Sequence, residues 1–190
     1  MNKRNNIVFV LSAPSGTGKT TVCERVLRKD TGIKRIITIT TRKPRTGEKN
    51  GRDYEFVSLR KFNAYINKHK FVEYAQVHGE KYGTPKDGLD AILSQHKDAI
   101  LVIDVQGGLS VKKEMPDAVL IFLKPPSMKS LKERLYKRSL DSEKLIARRL
   151  HNAMKEMKSI GLYDYRVLNK DLHEAVNAVL NIIKKERKKH

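Results

Sequence analysis

Short apolar runs alternate with amphipathic stretches along most of the chain. The strand-like runs cover residues 7–11, 36–39, 100–105, 119–123 and 166–168. Runs of this length are typical of parallel strands that are buried on both faces. Between the runs, apolar residues recur at helical spacing and predict helices over residues 19–28, 59–69, 86–95, 106–113, 128–138, 142–159 and 172–186, with Ser127 and Ser142 as N-caps. The alternation predicts a doubly wound α/β sheet.

Two regions interrupt this alternation. Residues 42 to about 85 contain short strand-like pieces at 53–58, 71–77 and 81–84, separated by glycine and proline turns. Residues 134–149 are rich in arginine and lie between two helices. Loops on a rigid scaffold often carry function, so we interpret both regions as insertions on a core. The core is then formed by residues 1–41, 86–133 and 150–190, within one domain spanning 1–190.

Length and composition fit a protein of one domain with a substantial core. The chain has 190 residues, and 39% of them are hydrophobic. Its apolar runs are too short to span a membrane or to form a signal peptide, so we expect a cytoplasmic location. Cys23 is the only cysteine, which excludes an internal disulfide, and the histidines lack the spacing of metal ligands.

The formal charge of +19 has two interpretations. A basic domain can bind nucleic acid through its phosphates. The alternative is a lysine-rich surface with no such partner. The lysines are spread along the chain, and only residues 184–189 form a dense basic run, which suits the C-terminal end of a helix. The second interpretation is therefore favoured.

A phosphate-binding loop follows the first apolar run. The segment reads Ala13-Pro14-Ser15-Gly16-Thr17-Gly18-Lys19-Thr20, with a predicted strand before it and a predicted helix after it. In such a loop, backbone N–H groups and a helix N-terminus face the anion. Lys19 reaches the outer phosphates, and the Thr20 hydroxyl is a ligand for Mg²⁺.

Ala13 departs from the strict form of this motif, which has glycine there. A residue before proline is held in an extended conformation, which alanine adopts without strain. Gly16 and Gly18 remain where the backbone must approach phosphate. The departure is therefore compatible with nucleotide binding.

Several further segments carry a resemblance to a known family. These are Thr38-Ile39-Thr40-Thr41-Arg42-Lys43-Pro44-Arg45-Thr46-Gly47-Glu48, continuing to Val57, then Phe71-Val72-Glu73-Tyr74-Ala75-Gln76, Tyr82-Gly83-Thr84, Ile103-Asp104-Val105-Gln106-Gly107, Arg134-Leu135-Tyr136-Lys137-Arg138 and Arg148-Arg149-Leu150. Together with the phosphate loop they closely resemble guanylate kinase of the bacterial single-domain type, over residues 7 to about 186. The resemblance implies a P-loop NTPase-type core with an inserted subdomain that binds the nucleoside monophosphate, and a helical lid.

The resemblance also implies the reaction and the acceptor site. The γ-phosphoryl group of ATP passes to GMP, and by extension to dGMP, with Mg²⁺ present. The residues at the GMP-binding positions are Thr38, Arg42, Arg45, Tyr54, Glu73, Tyr82, Thr84 and Asp104. Arginine forks suit phosphate, and a carboxylate can accept both N1–H and N2–H₂ of guanine.

On the donor side, the resemblance implies that residues 13–20 and Asn169 bind ATP. Lys19, Arg134, Arg138 and Arg149 would stabilise charge on the transferring group. Thr20 and Asp104 would hold Mg²⁺, although Val102 stands where many relatives have a second acidic residue. Lys170 likewise replaces a more usual acidic residue. ATP and GMP are the expected partners, and the sequence leaves the oligomeric state open.

Alternatives to this reading remain. A non-catalytic relative that binds protein partners would be expected to lack the phosphate loop or the lid arginines, which this chain retains. A kinase for another nucleoside monophosphate would lack the set Thr38, Glu73 and Thr84. The charge keeps nucleic-acid binding as a third hypothesis.

Overall fold

The structure, a computed structural model, describes residues 6–77, 79–138 and 143–189. The strands are β1 (Val8–Ser12), β2 (Ile33–Arg35), β3 (Ile39–Thr40), β4 (Glu55–Phe56), β5 (Phe71–Val77), β6 (Glu80–Pro85), β7 (Asp98–Ile103), β8 (Val119–Lys124) and β9 (Tyr165–Leu168). The helices are α1 (Lys19–Lys29), α2 (Leu59–Asn67), α3 (Lys86–Leu93), α4 (Val105–Glu114), α5 (Met128–Arg138), α6 (Glu143–Lys158) and α7 (Leu172–Arg187), with a 3₁₀ turn at Ser159–Leu162.

The larger sheet has the strand order β2-β7-β1-β8-β9, and every neighbouring pair is parallel. Strands β1 and β7 are buried along their whole length, as their continuous apolar sequences predict. Helices connect the parallel strands. The predicted doubly wound α/β core is therefore confirmed.

Side chains of β1 alternate between two hydrophobic clusters, one on each face of this sheet. Phe9 and Leu11 pack with the cluster that includes α1 and α7. Val8 and Val10 pack with the other cluster, to which α3 and α4 contribute. The single cysteine, Cys23, is buried in the first cluster. The phosphate loop thus begins at the end of a strand that is fixed from both sides.

The second, four-stranded sheet has the order β4-β3-β6-β5. Its β3–β4 pair is parallel, whereas β6 runs antiparallel to both β3 and β5. Helix α2 covers it through Phe62, which packs with Ile39 and Phe71. Most of this sheet falls within the predicted insertion at 42–85, and the limits of the subdomains stay a prediction.

Two sequence-based expectations about elements have clear outcomes. The predicted helices are present, with ends displaced by at most two residues. The predicted strand at 36–39 is wrong for residues 36–38, which join β2 to β3, and only Ile39 belongs to a strand. The β2 ladder closes with the bond from the Ile36 amide to the Ile100 carbonyl (3.1 Å), and the chain crosses to the second sheet before β3 begins. The predicted cap Ser127 accepts the Ser130 amide at 3.0 Å, while Ser142 lies outside the described residues.

The basic C-terminal segment is docked on the core. Arg187 pairs with Asp30 at 2.6 Å and with the buried Asp98 at 2.7 Å. Asp98 also accepts the Ile7 amide at 2.9 Å, next to β1. Lys189 pairs with Glu186 at 2.6 Å. Some of the basic side chains in this segment therefore form ion pairs that help to hold α7 in place.

Candidate active site between the phosphate loop and the second sheet

The phosphate loop joins β1 to α1 and wraps around the N-terminus of that helix. Gly16 and Gly18 have φ angles of 88° and 98°, in the left-handed region that glycine adopts at little cost. The Thr17 amide donates to the Pro14 carbonyl at 3.2 Å and closes the turn. The loop leaves the first N–H groups of α1 available to an anion.

Two other segments hold this loop in place. The Asn169 side-chain amide donates to the Thr17 carbonyl at 2.7 Å. Arg134, on α5, donates to the Thr17 carbonyl at 3.4 Å and to the Asn169 carbonyl at 3.2 Å. A Cβ on Gly16 would lie 2.8 Å from Leu135 Cδ2, so glycine is also required for α5 to pack this closely.

A cleft on this side of the loop gathers the residues predicted to bind the donor. Its lining residues are Gly16, Thr17, Gly18, Thr21, Arg134, Lys137, Asn169, Lys170 and Leu172. Lys137 and Lys170 are exposed at its rim. The side chains that line this cleft include three cations and no carboxylate.

A second cleft runs from the phosphate loop to the second sheet. It is lined by Ala13, Ser15, Lys19, Thr38, Arg42, Arg45, Tyr54, Glu73, Val77, Tyr82, Val102, Ile103, Asp104, Arg149 and Glu156. The structure therefore brings together Lys19, most of the residues predicted for GMP, and Arg149 of α6. Thr84 lies behind Glu73, and Thr20 lies partly buried in the first turn of α1.

Lys19 points along the loop towards this second cleft. Its ammonium group donates to the Ala13 carbonyl at 2.5 Å. Burial lowers the pKa of Lys19, whereas the nearby charges of Glu156 and Asp104 raise it. The ammonium is thus held by a backbone carbonyl, with two carboxylates nearby, at the place where phosphates would enter.

Glu73 and Thr84 face each other across the β5–β6 ladder. The Thr84 hydroxyl donates to Glu73 Oε1 at 2.7 Å, and both residues are buried. Burial raises the pKa of Glu73 to about 7; the Thr84 bond lowers that pKa and the charge of Asp104 raises it. This end of the cleft therefore presents a fixed, buried carboxyl group.

Arg42 lies just after β3, an inner strand of the second sheet. It donates to both carboxylate oxygens of Glu48 at 2.9 Å, and its guanidinium lies 5.3 Å from the centre of the Tyr54 ring. Burial opposes the charge, but Glu48 raises the pKa of Arg42 overall. Glu48 also accepts the Arg45 amide at 2.7 Å. Both predicted phosphate-binding arginines thus meet at one carboxylate.

Asp104 follows β7 and caps α4, where its Oδ1 accepts the Gly107 amide at 3.0 Å. Behind it, the Ser12 hydroxyl donates to the Asp104 carbonyl at 3.1 Å, which ties the ends of β1 and β7 together. This position at the carboxyl edge of a parallel sheet is where ligands bind in such folds. Asp104 faces the same cleft as Lys19.

Sequence reasoning assigned no role to Glu48 or Glu156. Glu48 belongs to a quoted motif, but only the structure shows its contact with Arg42. Glu156 lies seven residues after Arg149, and both line the cleft from one face of α6, so helical spacing was the available signal. Burial raises the pKa of Glu156 to about 7, while Lys19 lowers it. The predicted Arg138 ends α5, and its side chain lies outside the described part of the structure.

Comparison with known proteins places this arrangement in a family. The guanylate kinase family model matches residues 5–186. The chain belongs to that family. Guanylate kinases transfer a phosphoryl group from ATP to GMP.

Individual guanylate kinases are similar to this chain over nearly its whole length. That of Caldanaerobacter subterraneus subsp. tengcongensis is 40% identical over 185 residues, covering 97% of this chain and 90% of the relative. That of Neisseria gonorrhoeae is 43% identical over 180 residues, covering 95% and 88%. The crystal structure of guanylate kinase from Anaplasma phagocytophilum has a TM-score of 0.83 at 32% identity, covering 98% of this chain and 89% of that one.

The described helices include none with the length and apolar character that a membrane crossing needs. Among the same residues there is no group of three or more histidine, cysteine, aspartate or glutamate side chains that could hold a metal ion.

Proposed function

We propose that the chain transfers the γ-phosphoryl group of ATP to GMP, and to dGMP, by direct in-line transfer. The observation that carries this proposal is the composition of the second cleft. One end holds the phosphate-loop lysine, Lys19, and the other holds the buried carboxyl group of Glu73. Arginines from two insertions line the space between them. Such a cleft fits an acceptor nucleotide whose phosphate is turned towards the phosphate loop, where it would meet the phosphates of the donor.

Glu73 would recognise the guanine base. Guanine presents N1–H and N2–H₂ side by side, and one carboxylate accepts both. Thr38 lines the cleft just before β3, and Thr84 holds Glu73 in place across the β5–β6 pair. Adenine carries an acceptor at N1 and would leave the buried carboxylate unpaired. Sites of this kind discriminate by as much as ~10⁴-fold.

Arg42, Arg45, Tyr54 and Tyr82 would bind the phosphate of GMP. Arg42 is already oriented by Glu48 and by the Tyr54 ring, which reduces the entropy lost when a phosphate binds. Arginine forms bidentate bonds with phosphate that lysine does not. The tyrosine hydroxyls add uncharged donors beside them.

The phosphate loop, residues 13–20, would bind the phosphates of ATP, with Asn169 close to the donor base. The residues fit Mg²⁺ as well. Mg²⁺ keeps several waters and takes phosphate oxygens, so it needs few protein ligands. The Thr20 hydroxyl and the Asp104 carboxylate would provide them, and Oδ1 of Asp104 already serves α4. The bound ion would neutralise phosphate charge.

The transfer needs no general base. The second pKa of a phosphate monoester is about 6, so the GMP phosphate is mostly dianionic near neutral pH. Its oxygen is therefore already a nucleophile. The remaining task is to position both nucleotides and to neutralise charge, which we assign to Lys19, Arg134, Arg149 and Arg138. The last of these is assigned from its sequence position.

The test is an ADP-release assay with ATP, Mg²⁺ and a panel of acceptors. We expect turnover with GMP and dGMP. Turnover with AMP, CMP and UMP should be lower by about 10³-fold or more. Release of ADP must be matched by GDP, which separates transfer from hydrolysis. Equal turnover with AMP, or ADP without GDP, would contradict the proposal.

A further inference from the structure

Gly107 lies in the first turns of α4 and faces the carboxyl group of Glu73. We infer that Gly107 is a positioning residue for base recognition: its lack of a side chain leaves the space that the Glu73 carboxylate needs to face guanine. This inference rests on the proposed function of the same cleft. It assigns a selective role to a helix of the core, outside the insertion that carries Glu73.

The distances leave no room for a side chain at this position. A Cβ on Gly107 would lie 2.9 Å from Glu73 Oε2 and 3.4 Å from Glu73 Cδ. It would also lie 3.3 Å from Ile103 Cδ1. Non-bonded heavy atoms are most stable about 3.5–4.0 Å apart, so the carboxylate would have to move away from α4.

Glu73 cannot move without losing contacts. Its Oε1 accepts the Thr84 hydroxyl at 2.7 Å, and only 6% of the residue is exposed. Its backbone is fixed in the β5–β6 ladder opposite Thr84. A displaced carboxylate would therefore give up the Thr84 bond or turn away from the base. In either case the two N–H groups of guanine would lose their matched acceptor.

An alanine at position 107 should cost more in GMP binding than in folding. The atom that must move is the end of a flexible side chain, while the backbone of α4 stays in place. Gly107 has no positive φ angle, and alanine is a better helix former than glycine. The Gly107 amide also keeps its bond to Asp104 Oδ1 in such a variant.

The experiment compares Gly107→Ala with Gly161→Ala. Gly161 lies in the 3₁₀ turn, where a Cβ would meet nothing within 4 Å, which makes it a matched control. For Gly107→Ala we expect KM for GMP to rise about tenfold or more, with KM for ATP and the melting temperature close to those of the control. A rise in neither KM, or a fall in kcat at constant KM, would overturn the inference.

Two further readouts separate positioning from a general structural effect. IMP has N1–H but lacks the 2-amino group, so the preference for GMP over IMP should shrink in Gly107→Ala. In the Glu73→Gln background, Gly107→Ala should add less than about a threefold change in KM for GMP, because both substitutions act on one group. Additive effects would contradict the inference. If the unaltered protein makes no GDP, the proposed function fails first, and the two failures are thus distinct.

Discussion

The proposed acceptor end and the proposed donor side of this protein offer their nucleotides different kinds of contact. At the acceptor end, Glu73, Thr38 and Thr84 are 6%, 4% and 0% exposed and stand on or beside paired strands. On the donor side, Lys137 and Lys170 are exposed on flexible side chains. A buried polar group without its partner costs free energy, whereas an exposed lysine finds water instead. We therefore expect selectivity for a base at the acceptor end.

The donor side and the acceptor end also differ in the side-chain groups that they offer to a base. The side-chain amide of Asn169 donates one N–H to the Thr17 carbonyl, so part of its hydrogen-bonding capacity supports the loop. The carboxyl group of Glu73 lines the other cleft, where it can accept from a base. The donor is thus expected to be held mainly by its phosphates, and the acceptor by both base and phosphate.

Lys19→Ala should have the largest effect, because Lys19 lies where the two regions meet. Removing one preorganised charge from a phosphoryl-transfer site lowers kcat by about 10²–10³-fold. Steady-state kinetics at saturating ATP and GMP would measure it. Lys68→Ala, at an exposed position after α2, is the control and should retain full activity. A loss shared by both variants would point away from the phosphate loop.

Glu73→Gln tests the acceptor end alone. A hydrogen bond to a charged group contributes about 1.5–3 kcal/mol, so KM for GMP should rise by roughly 10–100-fold. KM for ATP should change little, since the donor cleft does not include Glu73. The kinetics are measured with each substrate varied in turn. Equal increases in both KM values would contradict the assignment of Glu73 to the acceptor end alone.

The pH dependence of GMP binding sharpens the same point. The pKa of Glu73 is raised to about 7 by burial, so its protonated form prevails below that pH. A protonated carboxyl group carries a donor towards the N–H groups of guanine. Accordingly kcat/KM for GMP should fall as pH drops through 7, approaching about tenfold per pH unit.

Two variants show which group causes the fall in kcat/KM for GMP at low pH. GMP itself titrates near pH 6, and Glu156 also has its pKa raised to about 7. Glu73→Gln should flatten the profile between about pH 8 and about pH 6.5, whereas Glu156→Gln should leave it in place. The opposite pattern would assign the titration to Glu156 on helix α6.

Some of this architecture could be predicted from the sequence because it depends on local chemistry. The strand, the glycine turn and the helix of the phosphate loop follow each other within residues 7–28, and periodicity located the helices to within two residues. The strand prediction at residues 36–39 was wrong for residues 36–38 because a run of apolar and β-branched residues occurs both in strands and in buried connections between sheets. Ile36 is buried there, yet the chain leaves the first sheet at that point.

The contacts that define the candidate site were harder to predict because they join distant segments. The pairing of Glu73 with Thr84 depends on the β5–β6 register, which shifts between Phe71 and Glu73. The approach of Gly107 to Glu73 depends on how α4 packs against β5. Periodicity describes which face a residue occupies, but not which residue of another element it meets.

The smallest expected effect concerns recognition of the donor base. It tests directly whether the donor side is less selective for its base than the acceptor end. Lys170 and Lys137 can donate to N7 of any purine, whereas the side chains lining the cleft include no carboxylate for the 6-amino group of adenine. ITP differs from ATP in having an oxygen at position 6. With GMP saturating, we expect kcat/KM for ITP within about tenfold of that for ATP, because an exposed hydrogen bond contributes only about 0.5–1.5 kcal/mol.

Lys170→Asp should then shift the ratio of ATP to ITP a fewfold towards ATP, roughly 2–10-fold. A carboxylate there accepts from the 6-amino group of adenine and opposes the 6-oxygen of hypoxanthine. Its repulsion of the triphosphate is common to both donors and cancels in the ratio. Lys170→Ala is the control and should leave the ratio near that of the unaltered protein. A donor preference above about 10³-fold before any substitution would mean that the donor side also reads its base through fixed groups.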